Sequence, residues 1–244
     1  MPLLGFGTWQ LTGKQAYEAV RVALDVGYRL LDTATMYGNE REVGRALRDS
    51  GIARDDVFLT TKLPPENAGR ERATIEHSLR ALGVDSVDLW LVHWPPRGRA
   101  GVDTWTEFMA LRDRGRATSI GVSNYSIEQI DELARSTGEI PSVDQVPWAP
   151  SLHDPAFLAA SRGRGVAVEG YSPFKRTNLR NRTLRDLADR HGVSTAQVVL
   201  RWHLQHEIVA IPKSATPERI RTNFDVFGFE LSRAEMGAVD GLAR

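Results

Sequence analysis

Leu30-Leu31-Asp32-Thr33-Ala34-Thr35-Met36-Tyr37-Gly38-Asn39-Glu40 ends a short apolar run on a carboxylate and follows it with a small polar turn that carries a phenol. The same arrangement recurs downstream. Phe58-Leu59-Thr60-Thr61-Lys62 ends on an ammonium, and Leu89-Trp90-Leu91-Val92-His93 ends on an imidazole. Short apolar runs bounded by polar or turn residues read as buried strands. Applied to the whole chain, this reading predicts strands at residues 3–8, 28–32, 57–61, 87–93, 118–123, 142–146, 165–170 and 208–212.

Amphipathic stretches fill the intervals. The clearest covers residues 70–82, with Ile75, Leu79 and Leu82 on one stripe and Gly83 as its stop. Ser126 and Thr216-Pro217 mark two helix starts, Ser194 opens another helical run, and residues 232–239 form a terminal one. Eight strands alternating with helices, with no break in composition, predict a single (β/α)₈ barrel domain over residues 1–244. A doubly wound dinucleotide fold would want a third glycine where Gln10 follows Gly5-Phe6-Gly7, which argues against it.

The 244 residues carry 31 basic and 31 acidic side chains, so no chain-wide electrostatic footprint for nucleic acid exists. The absence of cysteine excludes disulfides, thiolate metal sites and a cysteine nucleophile. Residues 1–10 lack a basic leader, and no run approaches the roughly 18–20 apolar residues of a membrane span. The expectation is a cytoplasmic protein, with a monomer as the default. Asn124-Tyr125-Ser126 and Asn181-Arg182-Thr183 match the glycosylation pattern, but without a leader both read as chance.

A (β/α)₈ barrel builds its reactive face at the C-terminal ends of its strands. Those ends are Thr8 and Trp9, Asp32, Lys62, His93, Ser123 and Asn124, Gln145, Tyr171 and Ser172, and Lys213 and Ser214. Taken singly, each has a plain reading: Asp32 as a helix cap, His93 as a core histidine, Lys62 as a solvated strand end. Their coincidence on one rim favours a proton-transfer site. The histidines at 77, 93, 153, 191, 203 and 206 do not pair at strand ends, so a metal-dependent hydrolase is disfavoured and no metal is expected.

The pattern resembles the aldo-keto reductase family. Asp32-Thr-Ala-x-x-Tyr37-Gly-Asn-Glu, Thr61-Lys62, Val92-His93-Trp94-Pro95, Gly121-Val-Ser123-Asn124, Tyr171-Ser172-Pro173 and Ile211-Pro-Lys213-Ser214-x-x-Pro-x-Arg219 occur in that family's order and approximate spacing. The resemblance implies a barrel that binds a nicotinamide cofactor without a Rossmann domain and reduces carbonyls. Tyr37 would be the general acid, Lys62 its cationic partner, Asp32 the anchor of Lys62, and His93 a donor to the carbonyl oxygen.

The resemblance also implies cofactor contacts at Thr8, Trp9, Asp32, Ser123, Asn124, Gln145, Tyr171, Ser172 and Phe174. Lys213, Ser214, Arg219 and Asn223 would take the adenosine end, with NADPH preferred over NADH because two cations suit a 2′-phosphate. Trp9, Met36, Tyr37, His93, Trp94 and Trp148 would wall an apolar pocket for an aldehyde or ketone. An alternative is a cofactor-binding regulatory protein of the same fold with slow turnover.

The chain departs from the family pattern at Asp144-Gln145-Val146-Pro147-Trp148, where Asn-Gln-Val-Glu-Tyr is commoner, and at Lys175, where a small residue often stands. Against that family, the expectation is a barrel without the N-terminal hairpin and long C-terminal tail of many relatives, and the connections 94–103 and 172–183 are short. An open pocket with loose specificity is the expectation.

Overall fold

The structure, a computed structural model, describes residues 1–243. Eight parallel strands run β1 (Phe6–Gly7), β2 (Leu30–Asp32), β3 (Phe58–Leu63), β4 (Val87–Val92), β5 (Ala117–Ser123), β6 (Val143–Pro147), β7 (Ala167–Tyr171) and β8 (Val209–Ile211). Their order in the sheet is their order in the chain. The barrel closes where Leu4 bridges Ala210, the Gly5 N–H donates to the Ala210 carbonyl and the Gly7 N–H to the Pro212 carbonyl.

The helices are α1 (Gly13–Val26), α2 (Glu40–Ser50), α3 (Glu71–Leu82), α4 (Val102–Asp113), α5 (Ile127–Thr137), α6 (Pro155–Gly163), α7 (Arg182–His191), α8 (Thr195–Gln205), α9 (Pro217–Phe224) and α10 (Arg233–Asp240). This is the (β/α)₈ barrel that the alternation predicts. No helix among the described residues is long and apolar enough to cross a membrane.

Local chemistry sets the helix starts. Ser126, Ser194 and Ser232 each form a capping box with Gln129, Gln197 and Glu235, satisfying backbone N–H groups that an open helix end would strand. The first strand is shorter than the predicted 3–8. Leu3 and Gly5 bond only to Ala210, so residues 3–5 have a partner on one side alone.

Strand parity then decides what faces inward. Leu30, Phe58, Leu89, Leu91, Val143, Val209 and Ile211 fill the barrel interior. Leu31, Leu59, Trp90, Ile120 and Val122 point outward and pack under the helices, with Trp90 stacked on Phe108 of α4. Gly121 leaves room inside the barrel: a Cβ there would sit 2.7 Å from the Val143 carbonyl oxygen and 2.8 Å from Leu91. Further along the inward rows stand Asp32, Gln145 and Lys62, joined by Glu169 of β7, and all four are buried. The alternation that seals the apolar interior therefore also lays a polar layer over it.

Candidate active site

The turn bearing Tyr37 is fixed from three sides. Thr35–Tyr37 make one 3₁₀ turn, in which the Tyr37 N–H donates to the Ala34 carbonyl. Gly38 ends it at φ 66°, a left-handed conformation that costs glycine nothing. Asn39, wholly buried, donates to the Thr8 and Leu11 carbonyls at 2.9 and 2.8 Å and accepts from the Thr33 hydroxyl at 2.8 Å. The Thr35 hydroxyl donates to the Lys62 carbonyl, and the Thr61 hydroxyl donates to Glu40. Sequence reading gave Asn39, Thr33 and Glu40 no role. The signal was their place in the motif, beside Asp32 and Tyr37.

Lys62 is the centre of the charge layer. Its ammonium donates to both Asp32 carboxylate oxygens at 2.6 and 2.7 Å, to the Thr33 carbonyl at 2.8 Å, and lies 3.4 Å from the Tyr37 hydroxyl. Burial by itself would lower the Lys62 pKa, but the Asp32 charge and hydrogen bonds outweigh it and the net direction is upward. The Gln145 amide donates to Asp32 at 2.8 Å and completes the anion's shell.

Tyr37 goes the other way from the simple expectation that an ammonium would favour phenolate. Burial raises its pKa more than Lys62 lowers it, so the phenol keeps its proton. His93 lies edge-on to Tyr37, with ring centroids 5.7 Å apart. Burial, aided by the Lys62 charge, lowers its pKa to about 3, so the imidazole is neutral at ordinary pH. Its Nδ1 is buried with no partner.

Glu169 is a further residue that sequence reading missed. Both carboxyl oxygens are buried without a hydrogen-bond partner among the described residues. Burial and the nearby Asp32 charge push its pKa to about 8, against the pull of Lys62 and Gln145, so it holds its proton at neutral pH. A single carboxylate in the apolar run Val166-Ala167-Val168-Glu169, two before Tyr171, was the available signal.

A cavity of about 590 Å³ opens above this layer. Trp9, Asp32, Met36, Tyr37, His93, Trp94, Ser123, Asn124, Gln145, Tyr171, Ser172 and Lys213 line it, so most of the predicted site residues meet here. Pro147, Leu152, Lys175 and Arg176 join them. Ser123 donates to the Gln145 carbonyl, the Asn124 amide donates to Ser123 Oγ and to the His93 carbonyl, and the Tyr171 hydroxyl donates to Asn124 Oδ1. Asn124 and Ser172, each just past a strand end, hold positive φ values of 64° and 54°, an uncommon backbone state found at shaped sites.

Other expectations are corrected. Trp148 follows inward-facing Pro147 and takes the opposite parity. It is buried beside Phe157 and His153 in a core between sheet and helices and does not wall the cavity. Thr8 is buried with its hydroxyl donated to the Asp32 carbonyl, and Phe174 packs against the core, so neither side chain reaches the cavity. Ser214, Arg219 and Asn223 stand beyond the cavity at the start of α9 and along it, Arg219 exposed and Asn223 buried. Lys175 lies over the Trp9 ring at 5.4 Å. A larger, more open groove of about 1710 Å³, lined by residues of α3 and α4, contains none of the strand-end residues.

Asp144 takes the parity opposite to Gln145 and points away from the cavity. Its Oδ2 has no partner, and burial raises its pKa to about 8. A carboxyl whose folded pKa exceeds its unfolded value favours folding below the unfolded pKa and loses that contribution as pH rises through 8. Asp144→Asn is therefore expected to stabilise the protein at pH 8, because the amide inherits the unpartnered position but carries no charge for burial to penalise. Its advantage should shrink toward pH 4. Melting curves of both proteins at the two pH values check this, and a pH-independent difference would refute it.

Comparison with known proteins adds the family. The aldo/keto reductase family model matches residues 3–244. Morphine 6-dehydrogenase of Pseudomonas putida is 40% identical, covering 99% of this chain and 88% of that protein. Methylglyoxal reductase DkgA of Yersinia pestis is also 40% identical, with 99% and 88% covered. The crystal structure of a Bombyx mori aldo-keto reductase in complex with NADP matches with a TM-score of 0.92 at 30% identity, over 100% of this chain and 89% of that one.

Proposed function

The chain belongs to the aldo/keto reductase family, and from that premise we propose that it reduces the carbonyl group of an aldehyde or ketone with NADPH. The observation that carries the proposal is the Lys62 ammonium, bound to both Asp32 oxygens and 3.4 Å from the Tyr37 hydroxyl on the wall of an open cavity. When bound, the cofactor would supply a hydride for the carbonyl carbon, so that negative charge develops on the carbonyl oxygen. Tyr37 gives its proton to that oxygen. Lys62 stabilises the phenolate left behind, and Asp32 fixes Lys62 at that distance. His93, neutral, can donate a ring N–H to the same oxygen without competing for the proton. Glu169, protonated, leaves Asp32 as the anion that Lys62 must balance.

The residues present fit the cofactor. Ser123, Asn124 and Gln145 bring amides and a hydroxyl to one cavity, and Tyr171 adds an aromatic face beside them. These four would hold the nicotinamide, and Ser172 would begin the path to the phosphates. Lys175, Arg176 and Lys213 line the cavity with positive charge that suits an anionic ligand. Lys213, Ser214, Arg219 and Asn223 would take the adenosine end. Each charged hydrogen bond lost there costs about 1.5–3 kcal/mol. Arg219→Ala is therefore expected to weaken NADPH binding by about 10- to 100-fold and to leave NADH binding nearly unchanged. Titrations of both cofactors on the same samples check this, and equal dissociation constants in the unaltered protein would overturn the preference.

Trp9, Met36 and Trp94 are exposed at 44%, 52% and 45% and line the cavity with Pro147 and Leu152. Large apolar side chains around an open mouth suit small aldehydes and ketones held without close enclosure. NADPH consumption over aromatic, aliphatic, dicarbonyl and sugar aldehydes tests the proposal. Broad, weak saturation is expected. No NADPH consumption with any member of the panel would refute the activity, and one tight substrate with the rest inert would refute the open pocket.

A further inference from the structure

Away from the carbonyl site, three ligand-type side chains from separate elements meet. His153 follows the 3₁₀ turn Pro150–Leu152, His206 caps the end of α8, and Asp240 ends α10. His206 Nε2 is 2.8 Å and His153 Nε2 3.7 Å from Asp240 Oδ1, and the ligand atoms of all three lie within 4.8 Å of one another. The Trp202 indole N–H donates to the same Asp240 oxygen at 2.7 Å and fixes the carboxylate.

Hydrogen bonding accounts for His206, Trp202 and Asp240 but leaves His153 unexplained. Its side chain is only 9% exposed, its Nδ1 is buried without a partner, and its Nε2 stands too far from Asp240 for a hydrogen bond. A ring nitrogen buried with no hydrogen bond is costly. The 3.7 Å gap is long for a shared proton but near the edge of a coordination shell. Ligand atoms about 2.0–2.1 Å from a tetrahedral ion lie about 3.3–3.4 Å apart.

We propose that His153, His206 and Asp240 form a binding site for a late first-row divalent cation such as Zn²⁺, through Nε2 of each histidine and a carboxylate oxygen. Asp240 is 31% exposed, so solvent can fill a remaining coordination position. The Trp202 indole acts as the outer partner that orients the carboxylate. An ion here would tie the connection after β6 to the ends of α8 and α10. This site is independent of the carbonyl chemistry.

The test uses tag-free protein stripped with a chelator and titrated calorimetrically with Zn²⁺, and separately with Co²⁺ followed by its visible absorption. One equivalent is expected to bind, with a Co²⁺ spectrum of low coordination number. His153→Ala and His206→Ala should each weaken binding by about tenfold or more. Asp240→Asn should do the same while keeping an oxygen acceptor for Trp202, so that loss of the fold and loss of the site are separated. His77→Ala, outside the cluster, should bind as the unaltered protein does. Zn²⁺ should raise the melting temperature of the unaltered protein and not of Asp240→Asn. The proposal is overturned if the stripped protein takes up no ion, if the Co²⁺ spectrum is that of the aqua ion, or if binding survives all three substitutions.

Discussion

Tyr37→Phe is expected to lower carbonyl reduction by about 10²–10⁴-fold while NADPH still binds, since a positioned general acid contributes a factor of that order. Phenylalanine fills the same space and keeps the edge-on contact with His93. What is lost is the hydroxyl 3.4 Å from Lys62, and with it the proton for the carbonyl oxygen. Because burial raises the Tyr37 pKa, the phenol stays protonated through neutral pH. Reduction should therefore not fall on account of Tyr37 until the solution is well alkaline, whereas the reverse oxidation, which needs phenolate, should rise with pH. Single-turnover NADPH oxidation and cofactor titration, both on Tyr37→Phe, separate chemistry from binding. Reduction within about tenfold of the unaltered rate would remove Tyr37 from the acid role.

Lys62→Met is expected to damage both stability and activity. Methionine roughly keeps the volume but deletes a fully buried ammonium that makes hydrogen bonds to Asp32 and Thr33. Asp32 then remains in the interior with the Gln145 amide as its side-chain donor. Breaking one side of a buried pair costs about 3–5 kcal/mol, because the surviving charge keeps its desolvation penalty. Replacing both partners, Asp32→Leu with Lys62→Met, should recover much of that stability, since apolar residues suit the same space. It should recover none of the activity. Urea unfolding with a parallel rate assay reads both effects. A single variant as stable as the unaltered protein, or an active double variant, would contradict the roles assigned to the pair.

Parity along the strands explains both what the sequence made legible and what it concealed. Asp32, Lys62 and Gln145 could be placed together because each follows an inward apolar residue by an even number of positions, two after Leu30 and Val143 and four after Phe58, on a recognisable strand. Trp148 was misplaced for the same reason in reverse. One residue past Pro147, it turns outward into the core between sheet and helices. Glu169 escaped notice because a lone carboxylate in an apolar run has no local partner, and its surroundings come from β2, β3 and β6. His153, His206 and Asp240 escaped for a stronger reason: no spacing rule links a turn, a helix end and a distant terminal helix. The direction of the Tyr37 shift also needed three dimensions, because burial and the Lys62 charge oppose each other and only their distances and depths decide the balance.

The sequence by itself determined the barrel and the chemical identity of its rim. Alternating apolar runs and capped amphipathic helices admit few packings, and polar residues that close buried strands must gather at one end. Tertiary structure alone decided which of those residues share a hydrogen bond, which side chains turn into the cavity and which carboxyls keep their protons. Those outcomes depend on burial and on contacts between residues as far apart in the chain as Asp32 and Gln145. Electrostatic energies change steeply with both.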